Sequence, residues 1–462
     1  MRIVVIGGTA SGTAAAAEAV RANPEAEVVL YEQEPHIAVG ACEIPYMVGG
    51  WIDDWRRLEV MTPRQFEQSK GGKVRERHRV TSIDARKKSI TIEALDFGSV
   101  HEDRYDRLIL ATGARPRRLD IEGEDAPNVF HIRTLETARR LRAWLDNERV
   151  RHVVMVGGGY VGVEMAETLR SRGIRVSILE PVGRVLGASL SESGGRIFDD
   201  HVRQQGVVVR QEAPVRFETG PGGRVRAVHT DKKEIIGCDL VCISVGLTQN
   251  TEVASGAGVR VGNLGGIVVD EGMRTSVSNV FACGDVIEVP HVASRAPVYR
   301  PLAPVGRRSA RVAARNAASR GAGLQARLAP VVRILGVSAF GMEAAMVGLN
   351  EKEARAAGFD VMATEIRYWS RAFLYPGAKR LQVRLLVERG TGRLLGGELV
   401  GEEGAGLRAN VLVPLIREGY TARQVTEEID FLYNPPIAPA VDPLMIACSK
   451  AARTAERSTR QR

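Results

Sequence analysis

A single cysteine, Cys42, stands in the stretch IAVGACEIPYMVGG at residues 37–50, and no second cysteine lies near it. Apolar residues precede it, and a proline and paired glycines follow, a pattern that indicates a helix start facing a buried site. A deprotonated thiol is both a nucleophile and a redox group, so Cys42 is the first candidate for catalysis. We expect the helix start to lower the pKa of this thiol and Glu43 to point away from it.

The other four cysteines occupy positions 238, 242, 283 and 448, without the spacing of a disulfide framework or of a metal site. They are predicted to be small hydrophobic residues, mostly buried, and all five cysteines are predicted to be reduced thiols. The sequence therefore predicts no metal ion and a cytoplasmic location.

A glycine-rich turn lies in the first segment, RIVVIGGTASGTAAAAEAVRANPEAEVVLYEQ, between a strand at about residues 2–7 and an alanine-rich helix. Gly7, Gly8 and Gly12 form the turn, and Glu32 ends the next strand twenty residues after the last glycine. Such glycines let the backbone approach a pyrophosphate at the helix N-terminus, and the acid accepts the ribose hydroxyls. The segment predicts a dinucleotide site.

A second segment, RHVVMVGGGYVGVEMAETLRSRGIRVSILEPVGR, repeats this pattern. Gly157, Gly159 and Gly162 form its turn, and Glu180 follows eighteen residues after the last of them. Two dinucleotide sites in one chain indicate an enzyme that passes electrons between two cofactors. The alternative, a duplicated site that has lost its function, is disfavoured because both acids and the key glycines are present.

Length and charge limit the remaining possibilities. A chain of 462 residues is too long for one hydrophobic core, and no apolar run reaches the roughly eighteen residues that span a bilayer. The net charge of +9 comes mainly from arginine, and aromatic residues make up only 5%, which argues against nucleic-acid binding. Residues 449–462, SKAARTAERSTRQR, are predicted to be a disordered basic tail.

Two further motifs, LILATGARP at residues 108–116 and VSNVFACGDV at residues 277–286, complete an ordered set of four. Asp285 in the second lies where an aspartate bonds a sugar-alcohol chain. The four motifs in this order resemble the two-dinucleotide flavoprotein disulfide reductases, over residues 1 to about 325. The resemblance implies an α/β fold with two Rossmann-like domains, one for FAD and one for NAD(P)H, and a C-terminal α+β dimerisation domain.

The same resemblance implies domain boundaries and cofactor-binding residues. The FAD-binding domain is predicted at residues 1–113 and 247–325, and the helix at 303–320 is its last helix. The NAD(P)H-binding domain is predicted at residues 114–246 and the dimerisation domain at residues 326–448. Tyr160 resembles the residue that covers the flavin until the nicotinamide displaces it. The implied cofactor-binding residues are Gly7, Gly8, Gly12, Glu32, Ala111, Thr112, Gly113, Gly157, Gly159, Tyr160, Gly162, Glu180, Gly246, Gly284, Asp285 and Ala303.

Most members of this superfamily carry a second cysteine five residues after the first, but here that position is Met47. Their acid–base histidine near the C-terminus is also missing, because all eight histidines lie at or before His291. Chemistry like that of glutathione, lipoamide or mercuric reductases is therefore excluded. The chain resembles the single-cysteine branch of CoA-disulfide reductases, NADH oxidases and NADH peroxidases. The oxidases and peroxidases have a histidine in the first glycine turn, where this chain has Ala10. This difference favours the CoA-disulfide reductases.

The C-terminal segments RAFLYPGA and FLYNPPIAPAVDPLMIA resemble those by which a partner subunit reaches the cysteine in that branch. They imply a homodimer with composite active sites, in which Tyr375 and Tyr433 lie near Cys42 of the other chain. A phenol there could protonate a leaving thiolate. The alternative is that both tyrosines only pack in a dimer core.

The substrate is less closely defined by the resemblance. Arg21 on the first helix is the implied contact for a CoA phosphate, although it could equally be an exposed helix residue. Ala38 and Ala41 stand where CoA-disulfide reductases carry a serine and an asparagine that hold the substrate. The class of disulfide reductase is thus better supported than CoA itself.

Three functions stay open on the sequence. The first is NAD(P)H-dependent reduction of a small disulfide, persulfide or polysulfide through FAD and Cys42, and a cysteine at a flavin-facing helix start favours it. The second is an NADH oxidase that reduces oxygen through a Cys42 sulfenic acid. The third is an electron-transfer reductase for a small redox protein. Glu180 predicts NADH rather than NADPH because it would repel a 2′-phosphate, a repulsion that Arg184 partly offsets.

Overall fold

The computed structural model describes residues 1–321 and 323–460, the last four of these by their backbone alone. Short apolar strands alternate with helices at the start of the chain, as the glycine motif predicts. The elements up to residue 116 are β1 (Arg2–Ile6), α1 (Ala10–Ala22), β2 (Glu27–Tyr31), α2 (Ile44–Gly49), α3 (Pro63–Lys70), β3 (Lys73–Arg75), β4 (His78–Asp84), β5 (Ser89–Ala94), β6 (Ser99–Arg104), β7 (Arg107–Leu110) and β8 (Ala114–Pro116).

The middle of the chain repeats the alternation around the second glycine turn. Its elements are β9 (Val129–His131), α4 (Leu135–Asn147), β10 (His152–Val156), α5 (Tyr160–Ser171), β11 (Arg175–Leu179), α6 (Glu192–Gln204), β12 (Val208–Arg210), β13 (Pro214–Thr219), β14 (Val225–Thr230), β15 (Ile235–Gly237), β16 (Leu240–Ile243) and β17 (Leu247–Gln249).

The last part of the chain contains longer strands and helices. Its elements are α7 (Glu252–Gly256), β18 (Ile267–Val268), β19 (Val280–Ala282), β20 (Ile287–Pro290), β21 (Pro297–Tyr299), α8 (Ala303–Ala318), β22 (Ile334–Ala339), β23 (Met342–Gly348), α9 (Glu351–Ala356), β24 (Val361–Trp369), β25 (Arg380–Glu388), β26 (Leu394–Gly401), α10 (Ala405–Glu418), α11 (Ala422–Glu428) and α12 (Pro443–Arg460).

Two parallel sheets have the same architecture. The first has the order β19-β7-β1-β2-β3 and the second the order β12-β11-β10-β16-β9. Their strands are runs of valine, isoleucine and leucine because both faces of each sheet are buried. In the second sheet, helices α4 and α5 pack on one face and strands β13, β14 and β15 pack on the other. Strand β19 joins the first sheet from far along the chain, which supports the predicted discontinuous FAD-binding domain; its boundaries stay a prediction.

The parts of the chain that form the first and the second parallel sheet are called the first and the second half below. They meet where the chain crosses from one sheet to the other. Strands β8 and β17 pair in antiparallel fashion at this crossing, with Ala114 opposite Gln249. Helix α2, although it follows the first nucleotide segment, packs on α4 and α5 of the second half. Its Ile44, Met47 and Val48 are buried in the core of that half. The residues just after Cys42 therefore belong to the packing of the second half.

The C-terminal domain is built on an antiparallel sheet of order β22-β23-β26-β25-β24, covered by α10 and α12. The predicted disordered tail is wrong for its described part, because α12 continues to Arg460. Ala451 and Ala455 are buried in the domain core, together with Cys448. The α/β fold with two Rossmann-like sheets and a third α+β domain is confirmed. Within the described residues, no helix has the length and hydropathy that crossing a bilayer requires.

Candidate active site

The first glycine turn lies at the carboxyl end of β1, where α1 begins. A side chain at Gly7 would overlap the carbonyl oxygen of Ala111, and one at Gly12 would overlap the carbonyl oxygen of Gly7. Gly7 also has a φ of +104°, which glycine adopts without strain. The glycines keep the backbone open at the helix N-terminus, a cradle that fits a pyrophosphate.

Glu32 closes this turn from the end of β2. Its carboxylate accepts the Gly8 amide at 2.5 Å and the Glu34 amide at 2.9 Å. Glu32 is only 6% exposed, and burial raises its pKa. Each carboxylate oxygen has a further lone pair, so Glu32 can still accept a ribose hydroxyl as predicted.

Three remote segments complete the first site. Gly284 and Asp285 begin a short helical turn after β19, and Ser11 of the first glycine turn lies against Gly284. Asp285 accepts a hydrogen bond from the Arg133 guanidinium at 2.8 Å. Ala303 begins α8, which packs against α1. The structure thus brings these predicted residues to one edge of the first sheet, and Arg133 is a neighbour that no motif in the sequence indicated.

Thr112, Gly113 and Gly246 lie at the crossing between the halves. The Thr112 hydroxyl donates to the Asn250 carbonyl at 2.7 Å, and the Asn250 amide group donates back to the Thr112 carbonyl at 2.8 Å. The backbone amide of Asn250 bonds Gly113 at 3.0 Å, and that of Arg117 bonds Gly246 at 3.0 Å. These residues fix one half of the molecule against the other.

The second glycine turn has the same geometry as the first. Side chains at Gly157 and Gly162 would meet the carbonyl oxygens of Ser244 and Gly157. Glu180 accepts the Gly158 amide at 2.9 Å from the end of β11. Gly159 has open space at its Cα, where a ligand could approach. These predicted residues are therefore brought together in a second cradle.

Tyr160 begins α5 at this turn and is partly buried. Burial raises the pKa of its phenol, while the Ser189 hydroxyl opposes that shift. Ser189 belongs to residues 181–191, which connect β11 to α6 and are called the 181–191 loop below. The position of Tyr160 at the mouth of the turn suits the predicted role of a cover over the cofactor.

Cys42 lies in a short 3₁₀ turn, Ala41–Glu43, between the two cradles. The Ala38 amide donates to the Gly8 carbonyl at 2.8 Å, which fixes the segment before the cysteine to the first glycine turn. After the cysteine, the Met47 carbonyl accepts the Arg142 guanidinium at 2.9 Å. Cys42 is exposed, whereas the other four cysteines are buried. It is the accessible thiol at the junction of the two halves.

The expectation of a lowered pKa at Cys42 is wrong. Partial burial raises the pKa of the thiol, the charges of Glu43, Glu164 and Asp285 raise it further, and Arg133 lowers it. Three residues of 3₁₀ helix and the six of α2 provide too short a dipole to offset these carboxylates. Glu43, whose carboxylate lies beside Gly40, thus raises the pKa of the thiol through its charge.

Glu164 is a residue that the sequence interpretation missed. It lies on α5 with its carboxylate 3.5 Å from the Tyr46 hydroxyl of α2, and burial raises its pKa to about 7. Desolvation and this carboxylate also raise the pKa of Tyr46 to about 12. No local motif marks it, because its partner Tyr46 lies 118 residues away in the chain. A group that titrates near neutrality thus lies beside the Cys42 helix.

The predicted partner and substrate residues lie elsewhere on the chain. Tyr375 and Tyr433 are 38% and 56% exposed, and apolar side chains such as Phe373 and Leu432 are exposed near them in sequence. Arg21 is exposed on α1 and pairs with Glu18 at 2.8 Å. No hydrogen bond joins any of the three to Cys42 in the described part of the chain. Their roles stay predictions.

Comparison with known proteins identifies the family that shares this architecture. The family model described as "Pyridine nucleotide-disulphide oxidoreductase" matches residues 1–315, and the dimerisation domain of that family matches residues 334–444. The chain is 33% identical to the NAD(P)H sulfur oxidoreductase (CoA-dependent) of Pyrococcus abyssi over 444 residues, 96% of each chain. It is 29% identical to an NADH oxidase of Methanocaldococcus jannaschii over 452 residues, 98% of each chain.

A solved structure gives the same result. The NAD-dependent persulfide reductase from A. fulgidus superposes with a TM-score of 0.94 at 30% identity, over 99% of this chain and 84% of that one. The two cradles, the single accessible thiol and these matches agree, and the chain belongs to the pyridine nucleotide-disulphide oxidoreductase family, whose members depend on FAD and NAD(P)H.

Proposed function

We propose that this chain uses NAD(P)H to reduce the sulfur–sulfur bond of a small disulfide, persulfide or polysulfide at Cys42. The observation that carries the proposal is the position of Cys42. It is the one exposed thiol of the five, and it lies between the cradle of Gly7–Gly12 and the helix that follows Gly157–Gly162. An isolated thiol placed between two nucleotide sites can receive electrons and pass them to sulfur.

The residues of the first cradle would hold FAD, and those of the second NAD(P)H. The open backbone at each turn suits a pyrophosphate, and Glu32 and Glu180 suit the ribose hydroxyls. FAD, when bound, accepts a hydride from NAD(P)H and makes two electrons available to an oxidised sulfur. The protein fixes the two sites relative to each other through the crossing strands β8 and β17.

The thiol step is an exchange in which one sulfur–sulfur bond replaces another. The Cys42 thiolate attacks a substrate sulfur, the substrate bond breaks, and the leaving thiolate takes up a proton. The product is a mixed disulfide between Cys42 and the remaining substrate half. Two electrons from NAD(P)H and a further proton then release the second thiol and restore the Cys42 thiolate.

Tyr375 and Tyr433 of a partner subunit are the proposed proton donors to the leaving thiolate. Their exposure, together with that of Phe373, Leu432 and Ile437, supports a homodimer in which this apolar surface is covered. The match to the dimerisation domain supports the same assembly. Tyr433→Phe should slow substrate reduction about tenfold while leaving flavin reduction by NADH unchanged. An active monomer, isolated by gel filtration, would contradict the composite site.

A CoA-based sulfur compound is the proposed substrate. The name of the Pyrococcus relative supports it, and Arg21 offers an exposed cation on α1 for a phosphate. Ala38 and Ala41 leave no side-chain hydrogen bond near the thiol, so the pantetheine arm would be held by shape and backbone. The five unpaired cysteines support the reducing cytoplasm as the place where the enzyme works.

Replacement of Cys42 tests the proposal. Cys42→Ser should bind FAD and take hydride from NADH, but lose at least about a thousandfold in reduction of CoA disulfide, CoA persulfide and polysulfide. Cys238→Ser is the matched control, because Cys238 is buried beside a strand and should not affect turnover. Full activity of Cys42→Ser with every sulfur compound would overturn the proposal and favour an electron-transfer reductase.

An NADH oxidase is the second candidate, supported by the Methanocaldococcus relative of that name. Oxygen would then be reduced, with Cys42 cycling through a sulfenic acid. Oxygen consumption with NADH in the absence of any sulfur compound distinguishes the two. Consumption as fast as turnover with the best disulfide would favour the oxidase.

A further inference from the structure

Two carboxylates of the C-terminal sheet hold the start of helix α6 in the nucleotide-binding half. Glu398 on β26 accepts the Ser191 amide at 2.6 Å and the Ser191 hydroxyl at 2.7 Å. Glu365 on β24 accepts the Ser193 hydroxyl at 2.5 Å. Glu398 is only 6% exposed, so its hydrogen bonds form where water competes little.

Gly194 shows how closely the two parts fit. A side chain at this position would overlap the carboxylate of Glu398. The Gly194 amide donates at 3.2 Å to the Ser191 hydroxyl, which caps α6. The first turn of a thirteen-residue helix therefore depends on a cap whose hydroxyl is itself held by an acid from another domain.

Helix α6 connects this contact to the 181–191 loop. Asp199 on α6 accepts the Val185 amide at 2.8 Å. The next amide, that of Leu186, donates to the Gly158 carbonyl in the second glycine turn at 2.7 Å. Ser189 in the same loop interacts with Tyr160. Hydrogen bonds, connected by the backbone of α6 and of the loop, thus link the C-terminal sheet to the second cradle.

We propose that Glu398 is a positioning residue for the nicotinamide-nucleotide site of its own chain. Through α6 and the 181–191 loop it holds the second glycine turn and Tyr160 in place. The inference rests on the proposed assignment of that turn to NAD(P)H. The C-terminal domain then governs hydride entry as well as dimerisation, and the first cradle is independent of it.

Two substitutions test this role. Glu398→Ala leaves both Ser191 donors without their acceptor, whereas Glu398→Gln keeps a hydrogen-bonding group of the same size without the charge. In anaerobic stopped-flow experiments, flavin reduction by NADH should be about tenfold slower in Glu398→Ala and about threefold slower in Glu398→Gln, within the range of couplings between sites. Reduction of disulfide by enzyme that dithionite has already reduced should be unchanged.

Hydrogen exchange provides a readout that does not depend on turnover. Amides of residues 182–195 should exchange faster in Glu398→Ala than in the wild type, while those of the first glycine turn should not. Titration with NAD⁺ followed by calorimetry should show weaker binding, with the FAD content unchanged. A general loss of stability would instead raise exchange in both cradles.

Glu343→Gln is the matched control. Glu343 lies on β23 of the same sheet and accepts the Gly406 amide at 2.8 Å, at the start of α10 within the C-terminal domain itself. It should leave flavin reduction and exchange in residues 182–195 unchanged. Wild-type reduction rates and wild-type exchange in both Glu398 variants would overturn the inference. A wild type that accepts no hydride from NADH would overturn the proposed function, and the exchange comparison would still test Glu398.

Discussion

The two glycine turns of this chain have nearly identical backbones and different surroundings. Gly7 and Gly157 have φ values of +104° and +101°, and each turn is closed by a glutamate from the next strand. The first acid, Glu32, is buried, whereas the second, Glu180, is partly exposed. Both sites thus share the same backbone cradle, but different segments cover it.

The covering segments explain the difference. The first turn is enclosed by the chain near Gly284 and by α8, both part of its own sheet system. The second is bounded by Tyr160 and the 181–191 loop, whose Ser191 is held by Glu398 of another domain. An enclosed site suits a cofactor that stays bound, and a site bounded by a loop suits one that enters and leaves with each turnover.

The largest expected effect comes from filling one turn at a time. Gly12→Ala and Gly162→Ala each place a methyl group against a carbonyl oxygen of the same turn. Gly12→Ala should yield colourless protein without FAD, whereas Gly162→Ala should remain yellow and lose roughly a hundredfold in kcat/KM for NADH. Absorbance spectra and steady-state kinetics check both. If Gly12→Ala retained FAD and full activity, the first glycine turn would not be the FAD site.

Removal of Asp285 tests the enclosure of the first site. Asp285→Ala should weaken FAD retention about tenfold, because a ligand hydroxyl and Arg133 both lose their acceptor. Equilibrium dialysis of the flavin measures the effect, and Asp285→Asn should restore part of it. Binding of NAD⁺ should be unaffected; an equal loss at both sites would mean that the two cradles are not separable.

Glu32 and Glu180 should differ in their effect on the preference for NADH over NADPH. Glu180→Gln removes a charge that repels a 2′-phosphate, so the ratio of kcat/KM for NADH over NADPH should fall about tenfold. Glu32→Gln should leave that ratio unchanged, because Glu32 belongs to the first turn. A preference of the wild type for NADPH would contradict the assignment of Glu180.

The smallest effect concerns the thiol between the cradles. Glu43 raises the pKa of Cys42, so Glu43→Gln should lower that pKa and increase the thiolate fraction at pH 7. Alkylation of Cys42 by iodoacetamide should then be about threefold faster, the scale of one solvent-screened charge. In both proteins the rate should rise with pH, and the curve of the variant should lie at lower pH. Coincident curves would show that Glu43 does not act on the thiol.

Local motifs made the two cradles predictable from the sequence. The glycines, Glu32 and Glu180 lie within segments of about thirty residues, where spacing alone defines a strand, a turn and a helix. Arg133 and Glu164 could not be found in this way, because their neighbours Asp285 and Tyr46 come from distant segments.

Two errors have identifiable physical causes. The composition of the tail indicated disorder, but the burial of Ala451 and Ala455 stabilises α12 through tertiary contact, which a charge pattern does not record. The pKa of Cys42 was expected to be low because a helix start follows it. The helix is short and three carboxylates lie around the thiol, so the balance depends on folded geometry.

The raised pKa of Cys42 has a consequence for the lifetime of the enzyme. Peroxide reacts with thiolates and not with thiols, and further oxidation to sulfinic acid is irreversible for most proteins. An exposed cysteine with a low pKa would be oxidised whenever peroxide is present and substrate is scarce. Burial of the thiol and the carboxylates around it raise the pKa of Cys42 and so lower its thiolate fraction, which slows oxidation of the idle enzyme by peroxide.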